Sequence, residues 1–151
     1  MARTSETEQL FDGLSAFNRK LRAFFDAVVR ERGLTLTRTR ALFALARRGP
    51  LTQKELAEEL EIETPTLVRV LDGMEKQDLI QRREDEADRR AKRIDMTPTG
   101  RAAYEDVYAL ARDIRQQIAE DISTEDILLT LSVVRRLMDN MHRLDIEKVR
   151  P

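Results

Sequence analysis

Cysteine and tryptophan are absent from the 151 residues, and histidine occurs once. Without cysteine there are no disulfides, no thiolate metal sites and no thiol-based catalysis or redox sensing. The same absence fits a reducing compartment. The lone histidine, His142, stands near the end of a helical pattern with no nucleophile beside it, which argues against hydrolytic or transition-metal chemistry. Five glycines and four prolines include no glycine-rich phosphate loop. No run approaches the ~18 apolar residues of a membrane span, and the opening "MARTSETEQL" has no apolar secretory core. The expectation is a non-enzymatic, cytoplasmic protein with no cofactor, no metal and no membrane partner.

Net charge is also lacking, at −1, although 36% of residues are charged. A generally basic nucleic-acid coat is thereby excluded, so any such function rests on local charge placement. With 41% hydrophobic residues and few turn formers, the composition points to helices that each keep one face in water.

Apolar spacing gives the order of elements. Phe11, Leu14, Phe17, Leu21, Phe24 and Val28 recur every three or four residues, predicting a helix over about 6–32 with a capping box at Ser5 and Glu8, stopped by Gly33. A second helix starts near Thr37 and ends at Gly49-Pro50. Thr52 and Glu55 form a capping box for a short third helix, and Thr64-Pro65 predicts the cap and first residue of a fourth. "LIQRRE" and "RIDMT" alternate as two strands around a charged tip, Asp85–Lys92. Thr97-Pro98 opens a fifth helix. Ser123 caps a sixth, with Ile127, Leu131, Val134, Met138 and Met141 spaced as a coiled-coil-like seam.

Short helices around a tight turn, followed by a charged hairpin, describe a winged helix-turn-helix. The fold class expected is mainly α with a small β-hairpin, flanked by long N- and C-terminal dimerisation helices. The corresponding segments are 1–35 for the N-terminal dimerisation helix, 36–97 for the DNA-binding domain and 98–151 for the C-terminal dimerisation helices.

The stretch "TPTLVRVLDGMEKQDLIQRREDEADRRAKRIDMTPTG" resembles the recognition helix and wing of MarR-family transcriptional regulators, most like the SlyA branch. The likeness is strong from about Leu36 to Gly100 and centres on Asp88-Arg89-Arg90, Lys92 and "T-P-T-G". It implies a homodimer that binds a pseudo-palindromic double-stranded operator, usually as a repressor released by a small aromatic or anionic effector. It gives Arg69 the base-reading position, with Pro65 and Thr66 beside it. Two positions depart from the family pattern: Glu61 and Asp78 stand where glycines are usual, predicting an altered turn at Glu61 and mild strain at Asp78.

The chemistry of these residues suits that role. An arginine early in an exposed helix can set its guanidinium on guanine O6 and N7, while Pro65 and Thr66 offer apolar contact to thymine. Gly73, without a side chain, would let the backbone approach closely. At the wing tip Asp88 can orient one arginine while its neighbour enters a narrow A·T-rich minor groove. The resemblance implies Arg89 as the inserted residue and Arg90 as its partner, and the residues alone leave the two interchangeable. Arg82, Lys92 and Arg93 are candidate phosphate contacts. Phe17, Phe24 and Phe43 are candidate walls of an effector pocket, with Lys20 or Arg38 holding an anion. A protein-interaction module built on the apolar seam is the alternative function. Steep salt dependence would mark DNA binding, and a weak one an apolar protein interface.

Overall fold

The computed structural model describes residues 2–84 and 92–144, with side chains from Ser5 onward. Along the chain run α1 (Ala2–Arg30), α2 (Leu36–Arg48), β1 (Leu51–Thr52), α3 (Gln53–Leu60) and α4 (Thr64–Lys76). They are followed by β2 (Ile80–Glu84), β3 (Lys92–Met96), α5 (Pro98–Ile118) and α6 (Thr124–His142). The expected hairpin is there, paired from Ile80↔Met96 to Glu84↔Lys92. A third strand extends it: β1 pairs antiparallel with β3 (Leu51↔Ile94, Thr52↔Arg93), giving the order β1-β3-β2. The architecture is that of a winged helix.

The chain divides into two compact units, residues 1–111 and 112–151. In the first, Val29, Leu42, Leu56, Leu67, Leu71, Met74, Ile80 and Ile94 are fully buried in one core. Each contributes roughly 1.5–3 kcal/mol by leaving water. In the second, α6 buries none of its residues, and Ile127, Leu131, Met138 and Met141 of its seam are exposed. Among the described residues no helix is long and apolar enough to cross a membrane.

Three helix ends share one solution. Gly33, Glu61 and Asp78 all have φ between 55° and 71°, and the next residue donates its N–H five residues back, Leu34 to Val29, Ile62 to Ala57 and Leu79 to Met74. This satisfies a helix-end carbonyl, and the apolar residue that follows packs inward. The turn expected to be altered at Glu61 therefore keeps the left-handed geometry that glycine favours. A side chain there costs about 1–2 kcal/mol. Asp78 recovers part of that cost, since its Oδ2 accepts from Thr99 Oγ1 at 2.8 Å. Glu61→Gly should accordingly stabilise the protein by about 1 kcal/mol in urea denaturation, and Asp78→Gly should gain clearly less. Equal gains would remove the role given to Thr99.

Two helix starts differ from expectation. α1 begins at Ala2, so Ser5 lies inside the helix, where its Oγ accepts from Gln9 Nε2 at 3.2 Å. α4 is capped by Glu63 rather than Thr64, without a side-chain cap bond. Pro65 is tolerated one residue further in, because the first-turn N–H groups have no intrahelical partner. α2 gains a cap that spacing did not indicate: Asp26 of α1 accepts from Leu36 N at 3.0 Å, alongside the Thr35 cap.

α5 is fastened to the start of the wing. Thr97 Oγ1 donates to the Asp78 carbonyl and accepts from Gly100 N at 3.0 Å, while Thr97 N donates to the Leu79 carbonyl at 3.2 Å. The T-P-T-G sequence is thus a joint between hairpin and helix.

Candidate nucleic-acid interface

α3 and α4 are set against the core by their apolar residues. The Thr52–Glu55 capping box forms as expected, with Thr52 N and Oγ1 donating to Glu55 Oε2 at 2.7 and 2.8 Å and Glu55 N donating to Thr52 Oγ1 at 3.2 Å. These bonds, the backbone one first, hold the Glu55 carboxyl below its ordinary value, and the charges of Arg93 and Arg48 act in the same direction. A lowered carboxylate pKa stabilises the fold above the unfolded value, and that gain is lost as pH falls through the lowered folded one. The melting-temperature gap between wild type and Glu55→Gln should therefore be widest above the ordinary value of 4.5 and close on further acidification. A gap independent of pH would contradict it.

On α4, Leu67, Leu71 and Met74 are buried, while Pro65, Thr66 and Arg69 are exposed. Residues three and four apart share a helix face, so Arg69 stands with Pro65 and Thr66. Nothing among the described residues pairs with its guanidinium. Val70 is half-buried against the core.

The C-terminal half of α4 is held from two sides. Arg38 of α2 donates through Nη1 to Gln77 Oε1 at 2.9 Å. Its guanidinium lies over Gly73, where an added Cβ would come 3.3 Å from Cζ and closer still to Nη2. Gly73 therefore makes room for Arg38, not for an external backbone approach. From the other side Arg82 of β2 reaches Asp72 at 2.6 Å and also Glu75, with only 19% of its side chain exposed. Arg82, expected at a phosphate, is engaged by two carboxylates of α4.

Lys92 and Arg93 are exposed on β3, and Arg93 Nη1 donates to the Pro50 carbonyl at 3.0 Å. Asp88, Arg89 and Arg90 lie outside the described residues. Arg83 was not singled out by the sequence. It is exposed and sits directly opposite Arg93.

Of the proposed effector residues, Arg38 and Phe43 face different neighbours. Phe17 and Phe24 are each 54% exposed on α1, and Lys20 on the same helix is exposed. Arg38 and Phe43 are five residues apart on α2, about 140° around the helix. Arg38 faces α4, whereas Phe43 packs edge-on against Tyr104 at 5.3 Å and near Tyr108 at 6.1 Å. The i, i+4 spacing of the two tyrosines on α5 was the available sign of that cluster. No group of three histidine, aspartate or glutamate side chains among the described residues is placed to hold a metal.

Residues 32–91 match the sequence profile of the MarR family. The chain is similar to the transcriptional regulator PA3341, with 34% identity, 89% of this chain and 99% of that one covered, and a TM-score of 0.79. It is similar to a probable transcriptional regulator from Pseudomonas aeruginosa at 29% identity, with coverages of 85% and 98% and a TM-score of 0.68. It also shares its fold with Staphylococcus aureus MarR in complex with salicylate and kanamycin, at 20% identity, with coverages of 93% and 95% and a TM-score of 0.83.

Proposed function

Because the chain belongs to the MarR family of transcriptional regulators, we propose that it binds a pseudo-palindromic duplex as a homodimer and represses where that site overlaps a promoter. The observation that carries this is the two-sided character of α4. One side is locked by Leu67, Leu71 and Met74, while the other offers an unengaged Arg69 beside Pro65 and Thr66.

Each α4 enters a major groove, and the two copies lie about one helical turn apart, ~34–36 Å. Arg69 donates to guanine, Pro65 and Thr66 touch thymine, and Lys92 and Arg93 meet phosphates. By the sequence pattern, one of Arg89 and Arg90 enters the flanking minor groove while Asp88 orients the other. The exposed apolar seam of α6 and, separately, the exposed Leu10, Phe11, Phe17 and Phe24 of α1 supply the dimer interface, since exposed apolar surface marks association.

Relief comes from a small aromatic or anionic effector that binds the two lobe spacings of the dimer with different affinity. Phe43 offers it a ring within an aromatic cluster, and Lys20 an exposed cation. The sequence pattern of the wing supports a place in the SlyA branch, and the composition supports a cytoplasmic protein. Selection from random duplexes with purified protein tests the reading. An inverted repeat should emerge, and a pool that stays random would refute it.

A further inference from the structure

We infer that the two adjacent arginines of β2 divide the work of the wing, Arg82 positioning the recognition helix and Arg83 holding a DNA phosphate. The inference rests on the DNA-binding reading above and assigns it residues in new roles.

Side chains alternate along a strand. Arg82 therefore shares the inward face with buried Ile80 and lies opposite buried Ile94. Its stem runs along the core, and its guanidinium ends between Asp72 and Glu75, three residues apart on one face of α4. Moving it to a phosphate would leave two carboxylates uncompensated beside a polyanion. With Arg38 on the other flank, Arg82 fixes how α4 and the wing are set against each other. It is a positioning residue.

Arg83 points the other way. Its side chain is 64% exposed, and its ion pair with Asp95 is long, at 4.0 Å. The register places it directly across from Arg93, whose guanidinium is engaged on the β1 side by the Pro50 carbonyl, so the Arg83 side chain is the one left facing outward from β2.

The test compares full-length wild type, Arg82→Gln, Arg83→Gln and the double variant Asp72→Asn/Glu75→Gln. Each is titrated with the selected duplex and a scrambled one across a salt series. Arg83→Gln should weaken both duplexes by a common factor and flatten the slope of log K against log salt by about 0.9 per protomer. Arg82→Gln should keep the slope and lower the ratio of selected to scrambled affinity. The double variant should lower that ratio too, although removing negative charge by itself tightens binding to DNA. Partial unfolding would scale both duplexes alike and leave the ratio unmoved. The inference is overturned if Arg82→Gln flattens the slope, if Arg83→Gln does not, or if the double variant binds both duplexes more tightly with its ratio intact. A wild type that prefers no duplex refutes the parent reading, and the inference with it, before any variant is compared.

Discussion

Arg69→Ala should cost about 1–3 kcal/mol of specific binding per half-site, roughly a 5- to 150-fold loss of affinity, and abolish preference at one base pair. Arg69 is exposed and unengaged among the described residues, while α4 is held by Leu67, Leu71 and Met74 beneath it, so the variant should melt like wild type. Two fates of the loss are then separable. A phosphate contact removed would weaken all duplexes alike, whereas a lost guanine contact leaves other sequences nearly untouched. Measured on the selected duplex and its single-base variants, an unchanged preference at every position would remove Arg69 from the base-reading role.

Gly100→Ala should cost a net of about 2 kcal/mol or more in folding stability. A Cβ there would lie 2.8 Å from the Leu79 carbonyl carbon and closer still to its oxygen. That carbonyl accepts from Thr97 N, so it cannot retreat without breaking the joint between hairpin and α5. Overpacking costs ~1–3 kcal/mol and sometimes more, and a backbone obstacle places this site at the upper end. Against it stands the better helix propensity of alanine, ~1 kcal/mol. The difference should lower the melting temperature by about 4–8 °C or more, at ~2–4 °C per kcal/mol for a chain of this size. Gly13 supplies the control, since nothing lies within 4 Å of its added Cβ and alanine there should stabilise α1. Equal responses at the two glycines would mean that the close approach at Leu79 carries no cost.

The order of elements was legible because it is written in local chemistry. Thr52 with Glu55, Ser123 with Asp126 and the Thr97-Pro98 start each announce a helix through bonds made within a few residues. The exposed half of α4 was legible for the same reason, its apolar period leaving Arg69 outside. What depends on distant partners was not. β1 is two residues long, too short to show a period, and exists through its pairing with β3. Asp26, seen along α1, gives no sign that it caps α2. The alternation of β2 did carry one unused signal. Arg82 falls in phase with Ile80 and Arg83 out of phase, which separates the inward arginine from the outward one before any coordinates. Residue type alone does not record that Arg38 and Phe43 face different neighbours.

Hydroxyl-radical footprinting of the purified protein on its selected duplex bears most directly on the paired α4 helices. Two symmetry-related protected regions should appear on one side of the duplex, their centres about 10–10.5 base pairs apart, with further protection at the flanking minor grooves. A single protected patch, or protection with no twofold relation, would contradict the account.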